Sequence, residues 1–177
     1  SKAKWGTYIP GVYGLHPLLN NEMINLPYVC GLAPHVAGEK LDLEACDVSD
    51  VSRTLDLRTA TLRRQLTWRP AGGGALRVTF QRFVSAARKH LVCQRMTLSA
   101  DAETPVEVRG GIDGDVRTNG YLHFTDASVE RPADNEVELT VRTDRDETVT
   151  ARARLLADGA AWAFAAPPRG GELSARL

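Results

Sequence analysis

Apolar and polar residues alternate through five successive runs between residues 61 and 155, and this alternation constrains the fold more than any other feature of the chain. The apolar positions are Leu62, Leu66 and Trp68; Leu76, Val78 and Phe80; Val106, Val108 and Ile112; Val137, Leu139 and Val141; and Val149, Ala151, Ala153 and Leu155. A period of two places one face of a strand on a core and the other in water. The chain is therefore predicted to be nearly all β.

Clusters rich in Gly, Pro, Asn and Asp separate the runs and predict tight turns. Short strands at this spacing favour a sandwich or barrel. We predict an all-β fold, an antiparallel two-sheet β-sandwich that occupies residues 1–177 as a single domain. Helical signal is confined to Val84–Leu91, which could form one helical turn or extend a strand. The side chains expected to face inward are Leu55, Leu57, Leu66, Trp68, Val78, Phe80, Val108, Val137, Leu139 and Val149.

Composition excludes several classes of partner. Lys plus Arg and Asp plus Glu both number 22, so the net charge is zero and no basic excess points to nucleic acid or an anionic membrane. No apolar run approaches the roughly 20 residues that span a bilayer. Cys30, Cys46 and Cys93 are odd in number and widely spaced, which fits neither a disulfide framework nor a zinc site. A reducing cytoplasm is the expected location.

The residues themselves give little sign of catalysis. Cleavage of a glycosidic bond with inversion needs a carboxylic acid to protonate the leaving oxygen, and a hydrolase adds a second carboxylate that activates water. None of the candidate acids has a local context that would raise its pKa, and the histidines lack metal-ligand spacing. We therefore predict no catalytic, cofactor-binding or metal-binding residue in this chain. The candidate acids are Glu22, Asp42, Asp56, Asp113 and Asp115.

A series of short motifs in a fixed order carries more information than any one of them. They are Gly6-Thr7-Tyr8, Gly11-Val12-Tyr13, Glu22 before Asn25-Leu26-Pro27, Gly38-Glu39, Leu41-Asp42-Leu43, Arg53–Arg58, Arg82-Phe83-Val84-Ser85, and Gly111–Val116 with Asn119-Gly120. Their order and spacing over residues 6–125 resemble the amino-terminal β-sandwich of glycoside hydrolase family 65. That family holds maltose, kojibiose and trehalose phosphorylases and related glycosidases.

The resemblance implies a galactose-mutarotase-like super-sandwich that does no chemistry itself. The family's catalytic glutamate lies in a helical (α/α) barrel, which these 177 residues lack, as they lack the Gly-Asn-Gly-Tyr segment that usually comes earlier. The chain is then expected to be a fragment, inactive alone, of an inverting glycosidase or disaccharide phosphorylase. A phosphorylase parent would use inorganic phosphate as co-substrate. The implied partners are the parent's own catalytic domain, a second copy in a homodimer, and the parent's disaccharide.

Two loop segments, Trp5–Pro34 and Asp113–His123, hold all the residues that the resemblance marks for domain docking. The residues are Tyr8, Glu22, Asn25, Pro27, Asn119 and Tyr121. Alternatively, the glycines and prolines of these segments only shape turns. An independent carbohydrate-binding β-sandwich also stays open, and it requires an exposed aromatic strip or a polar groove. Trp5 and Tyr8 are the aromatic residues expected at the surface, whereas Trp68 and Trp162 are expected in the core.

Overall fold

A computed structural model describes residues 6–177, and in that range the chain forms strands and no helix. The strands are β1 (Tyr13–Gly14), β2 (Glu22–Met23), β3 (Tyr28–Val36), β4 (Glu39–Lys40), β5 (Val48–Asp56), β6 (Thr61–Trp68), β7 (Leu76–Val84), β8 (Val92–Ala100), β9 (Glu107–Asp113), β10 (Phe124–Glu130), β11 (Glu136–Thr143), β12 (Thr148–Arg154), β13 (Ala163–Ala165) and β14 (Gly170–Arg176). They form sheets of order β1-β2, β10-β11-β12, β13-β14-β9-β3-β4 and β5-β6-β7-β8. Within the sheets, strands that follow one another along the chain and pair, such as β5 to β8 and β10 to β12, are antiparallel, which confirms the predicted all-β antiparallel sandwich.

The chain divides into two compact units. The first contains residues up to Gly31 together with Arg109–Ala175, and the second contains Leu32–Val108 with the last two residues. The organisation of residues 1–177 as a single domain stays a prediction.

The core of the first unit is built on strand β11. Val137, Leu139 and Val141 alternate along it, are at most 1% exposed, and pack with Ile112 of β9 and Leu173 of β14. These three residues confirm the period-two reading of the sequence. The predicted core residue Val149 is only half-buried because β12 is an edge strand, although it pairs directly with Val141. Trp162, also expected in the core, is likewise partly buried against it.

The core of the second unit joins the middle of the four-stranded sheet to residues of β3 and β9. Leu66 and Trp68 of β6 pair with Val78 and Leu76 of β7, and all four are at most 1% exposed. The residues that pack against them include Val36, Val106 and Val108. Phe80 is partly buried at the margin of this core, where the Arg64 guanidinium lies 4.6 Å from the centre of its ring.

The prediction that Leu55 and Leu57 face a core is wrong. Leu55 is 55% exposed and Leu57 is 84% exposed. Leu55 does pair with Leu62, so alternation puts it on the same face of the sheet as Leu66, but β5 is an edge strand and that end of the face is not covered. Leu57 lies in the turn after β5, where the two-residue alternation of a strand no longer applies.

The segment Val84–Leu91 is neither a helical turn nor a continued strand. Strand β7 ends at Val84 and β8 begins at Val92, and a turn closed by the Ser85 N–H and the Leu91 carbonyl (3.0 Å) joins them. Asp42 likewise lies beside a turn and not in a strand, where its carboxylate accepts the Glu44 N–H at 2.9 Å. Trp5 lies outside the described residues.

Candidate functional site

The prediction that the first segment is loop throughout is wrong, because it contains a two-stranded ribbon, β1 with β2, and most of strand β3. Tyr13 pairs with Met23 and Gly14 pairs with Glu22, so the two pairs lie on opposite faces. Gly14 is buried, and a Cβ placed on it would lie 2.4 Å from Nδ1 of His123. Only glycine permits this approach. One face of the ribbon is thus held against the first unit, while Tyr13 and Met23 point outward.

Asn25 ties the chain on either side of the ribbon to the second predicted loop segment. Its side-chain Oδ1 accepts the Thr7 N–H at 2.8 Å, and its own N–H donates to Oγ1 of Thr118 at 2.7 Å. Asn25 is only 6% exposed, and Pro27 is buried as well. Both residues are thus buried in this chain, and their role in domain docking stays a prediction.

The Asn119-Gly120 pair forms a tight two-residue turn. Both residues have positive φ, 49° and 90°, and the N–H and carbonyl groups of Thr118 and Tyr121 bond to each other at 2.8 and 3.0 Å. These dihedral angles and hydrogen bonds are typical of a type I′ turn, in which Asn-Gly is strongly favoured. The side chain of Asn119 donates to Oε2 of Glu22 at 2.7 Å, so the structure brings two of the predicted site residues together.

His123 lies between two carboxylates beneath the ribbon. Its Nδ1 is 2.8 Å from Oδ2 of Asp144, and its Nε2 is 3.2 Å from Oε1 of Glu22, a close contact that lacks hydrogen-bond geometry. Its side chain is 3% exposed, against 9% for Glu22 and 21% for Asp144. The other oxygen of Asp144 accepts the Leu15 N–H at 3.1 Å, so one carboxylate holds both the imidazole ring and the ribbon.

The ribbon exposes large apolar side chains on its outer side, and we call these residues the ribbon surface. They are Tyr13, Leu15, Leu18, Leu19 and Met23, which are between 40% and 88% exposed. Tyr8 and Tyr121, from the predicted set, are also about half exposed at 52% and 49%. The prediction that Tyr8 lies at the surface is confirmed.

The tip of the ribbon surface has a fixed shape. Nδ1 of His16 accepts the N–H groups of both Leu18 and Leu19 at 3.0 Å, and the Asn20 N–H bonds to the His16 carbonyl at 3.2 Å. Arg145 also donates to the Asn20 carbonyl at 2.8 Å. Leu18 and Leu19 are thus the most exposed of the five residues, at 88% and 71%, although their backbone is held by hydrogen bonds.

Two carboxylates of the described residues have a lowered pKa, whereas a general acid needs a raised one. Hydrogen bonds from Thr59 and Arg58 hold the pKa of Asp56 below its usual value. Hydrogen bonds from the guanidinium groups of Arg152 and Arg154 hold the pKa of Glu136, which is 2% exposed, below its usual value. Asp113 is exposed and accepts the Asp115 N–H at 2.9 Å.

Neither a metal site nor a membrane span is found in the described part of the chain. Within residues 6–177, no group of three or more His, Cys, Asp or Glu side chains is arranged to hold a metal ion. No helix in that range has the length and apolar character that a membrane crossing requires.

A shallow polar groove of about 330 Å³ lies on the outer face of the four-stranded sheet in the second unit. The strand register brings Thr54 opposite Arg63 and Asp56 opposite Thr61 on this face. The lining residues are Ser52, Thr54, Asp56, Thr59, Thr61, Arg63, Gln65 and Gln81. Hydroxyl, amide and charged groups of this kind can hydrogen-bond a polyol.

Sequence reasoning did not single out His123, Asp144, Leu18 or Leu19. Asp144 is separated from His123 by 21 residues and from Leu15 by 129, and no local pattern reports such contacts. The exposure of Leu18 and Leu19 depends on a turn whose bonds come from a histidine ring, which is not a standard turn signal.

Comparison with known proteins gives a consistent result. Residues 1–169 match the family described as glycosyl hydrolase family 65, N-terminal domain. A kojibiose phosphorylase from Halothermothrix orenii is 26% identical over 82% of this chain, and one from Escherichia coli K12 is 31% identical over 70%. The chain spans only 19% and 16% of their lengths. A solved structure described as a kojibiose phosphorylase from the human microbiome superposes with a TM-score of 0.84 at 21% identity, over 97% of this chain and 24% of that one.

Proposed function

We propose that this chain, which belongs to glycosyl hydrolase family 65 as its N-terminal domain, is a non-catalytic domain that packs against the catalytic portion of a disaccharide phosphorylase. The observation that carries the proposal is the ribbon surface, an apolar outer face on a backbone that hydrogen bonds hold in place. Exposed apolar groups of this kind mark contact sites. A pre-formed surface also loses less conformational entropy when it is covered.

The contacts beneath the ribbon support the same role. Asn25, Asn119 and His123 each form a hydrogen bond in or beside the ribbon, and together these bonds support its position. None of them needs to touch a substrate to do so. Tyr8 and Tyr121 stay exposed, so they are the predicted docking residues that are free to make contacts.

The parent's chemistry is proposed from its relatives. The two kojibiose phosphorylases named above are each more than five times longer than the region this chain matches, so the parent's disaccharide and phosphate sites would lie elsewhere. The partner that covers the ribbon surface is then the catalytic portion of the same polypeptide. A second copy of the chain is a further partner in a homodimer. The three cysteines are odd in number and widely spaced, which favours a reducing cytoplasm as the parent's location.

The 177-residue chain alone is expected to release neither glucose nor glucose 1-phosphate from kojibiose, maltose or trehalose, with or without phosphate. The reason is that the chain matches only the N-terminal domain of the family and spans less than a fifth of the phosphorylases it resembles. Product release would be measured by coupled assay. Turnover that a single change, Glu22→Gln or Asp113→Asn, abolishes would contradict a non-catalytic role.

In the intact enzyme, Leu18→Ser and Tyr121→Ala are expected to lower turnover or the melting temperature, because each removes an apolar contact with the catalytic portion. In the 177-residue chain alone, the free energy of unfolding of both variants should lie within about 0.5 kcal/mol of that of the unsubstituted chain, since both side chains are exposed. Denaturant unfolding and steady-state assays would measure the two effects. Leu156→Ser is the matched control, because Leu156 is a leucine of the same unit that is 80% exposed and lies away from the ribbon. If Leu18→Ser and Leu156→Ser give the intact enzyme the same turnover and the same melting temperature, docking through the ribbon is refuted.

The polar groove favours a second candidate function, an independent carbohydrate-binding module. Its hydroxyl and amide lining could bond a sugar, although the eight lining residues include no aromatic platform. Calorimetric titration of the chain with kojibiose or maltose separates the two functions. Saturable binding that Arg63→Ala removes would support the module, and no detectable heat would leave docking as the function.

A further inference from the structure

The outer face of the four-stranded sheet carries a second groove beside the polar groove described above. Its volume is about 240 Å³, and its lining includes Phe83, Cys93 and Arg95. Thr61 and Gln81 line both grooves, so the two are continuous and form one strip across the sheet. We call the joined grooves the outer strip.

The strand register shows how far the outer strip extends. One row of paired residues runs from Thr54 of β5 through Arg63 of β6 and Gln81 of β7 to Arg95 of β8. Three spacings of about 4.8 Å between four strands make this row roughly 14 Å long. A ligand that fills the row is therefore extended and longer than a disaccharide.

The row offers hydrogen-bonding groups that the protein itself does not use. Within residues 6–177, the side chains of Arg63, Gln81 and Arg95 have no hydrogen-bond or ion-pair partner. Arginine donates through a planar fork, and the glutamine amide both donates and accepts. Neighbouring hydroxyl groups of a sugar present the same combination of donors and acceptors, so these side chains can bond them in pairs.

The carboxylate and the hydroxyl groups of the strip favour a neutral ligand. Hydrogen bonds from Thr59 and Arg58 hold the pKa of Asp56 below its usual value, so its carboxylate stays ionised. An ionised carboxylate repels an anion but accepts hydrogen bonds from hydroxyl groups. Half of the eight residues that line the polar groove carry a hydroxyl group, and these are Ser52, Thr54, Thr59 and Thr61.

Phe83 supplies apolar surface at one end of the strip. It is 43% exposed on the water-facing side of β7, where the alternation of the strand would place a polar residue. The core does not use this ring, since Phe80, on the other face of the same strand, is the phenylalanine that packs against it. The face of an aromatic ring is a flat apolar surface, and the C–H groups of a sugar ring can pack on it.

Two irregular features of β5 fix the edge of the strip. A bulge interrupts the register between Ser49 and Ser52, and Asp50 within it has a φ of 54°. In the turn after β5, Ala60 has a φ of 52°. Positive φ is strained in a residue other than glycine, and both such strain and bulges are concentrated at functional sites. The β5 segment between them thus has a shape that sheet pairing alone does not require.

The outer strip also joins two sequence motifs that docking leaves without a role. Arg53–Arg58 contributes Thr54 and Asp56, and Arg82-Phe83-Val84-Ser85 contributes Phe83. The motifs lie on β5 and β7, and β6 lies between these strands in the sheet. One ligand that crosses the three strands accounts for both motifs.

We propose that the outer strip binds an oligosaccharide longer than a disaccharide, with its polar side chains bonding the hydroxyl groups and Phe83 packing against one sugar ring. The inference rests on the carbohydrate-binding candidate named above, and it adds the length of the ligand and the aromatic contact. It does not depend on docking, because the outer strip belongs to the second unit and the ribbon surface to the first.

Titration of the isotope-labelled 177-residue chain with maltoheptaose and with maltose, followed by the NMR shifts of the backbone amides, tests the inference. We expect shift changes confined to β5–β8. We also expect a dissociation constant on the order of 1 mM for maltoheptaose, roughly tenfold below that for maltose, because only the longer sugar spans the row and reaches Phe83.

Substitution of Phe83 separates the two sugars. Phe83→Ala should raise the dissociation constant of maltoheptaose to about that of maltose and leave the value for maltose unchanged. Val84→Ala is the matched control, since Val84 is the next residue of the same strand, is 60% exposed and lies on the other face. The same spectra report whether each variant is folded.

Equal affinity for the two sugars would overturn the inference and leave the carbohydrate-binding candidate standing. Shift changes that lie outside the outer strip, or displacement of maltoheptaose by inorganic phosphate, would also overturn it. If neither sugar binds, both the inference and the candidate fail. Docking through the ribbon is unaffected by that result, since Leu18→Ser tests it separately.

Discussion

Replacing Trp68 with alanine is expected to lower the free energy of unfolding of this chain by about 3–5 kcal/mol. Trp68 is 0% exposed and is the largest of the fully buried side chains. Leu76 lies opposite it on β7, and Leu66 lies beside it on β6, so the cavity would be walled by residues that are themselves fully packed. Such a site collapses little, which puts the loss in the upper part of the range for large-to-small changes.

Urea unfolding, followed by circular dichroism, would measure the change. Trp68→Phe is the matched control, since it keeps most of the ring volume. It also removes an indole N–H that has no hydrogen-bond partner within residues 6–177, and an unpaired buried donor is costly. We expect Trp68→Phe to cost less than about 2 kcal/mol. Equal losses for the two variants would show that packing around the ring is not what stabilises the second unit.

The parts of the fold that the sequence predicted well depend on local rules. Period-two alternation placed Leu66, Val78 and Leu139 correctly because each lies mid-strand under a complete covering layer. The same rule failed at Leu55 and Leu57. Alternation tells which face a side chain occupies, but whether that face is covered depends on packing from elsewhere in the chain.

In the candidate site, too, local rules account for some features, whereas others depend on residues that are distant in the sequence. The Asn119-Gly120 turn follows a local rule, because positive φ at two successive residues favours those residue types, although the pair entered the sequence analysis only as part of the motif series. Its bond to Glu22 spans 97 residues, and the sequence showed only that both residues belong to the same motif series. The buried state of Asn25 and Pro27 was not readable, since a loop residue that holds its neighbours and one that contacts a partner look alike in a sequence.

Replacing His123 with alanine is expected to lower the free energy of unfolding by about 3 kcal/mol, the lower end for removing one partner from a buried charged group. The lower end applies because Asp144 is 21% exposed, so water can solvate part of its freed carboxylate. Glu22 is 9% exposed and would be left with the bond from Asn119. His90→Ala is the control, because His90 is exposed and its loss should cost no more than about 0.5 kcal/mol.

The His123 variant should also loosen the ribbon more than the rest of the first unit. Asp144 holds the ring through one oxygen and the Leu15 N–H through the other, so the loss of the ring frees the carboxylate that fixes the base of the ribbon. Amide exchange would then quicken in β1 and β2 before it does in β11, whose ladder to β12 is untouched. In the intact enzyme, a ribbon that is no longer pre-formed should dock less well, so His123→Ala should reduce turnover in the same direction as Leu18→Ser. If exchange rises evenly across the first unit, the Glu22–His123–Asp144 contacts support general stability and do not position the ribbon.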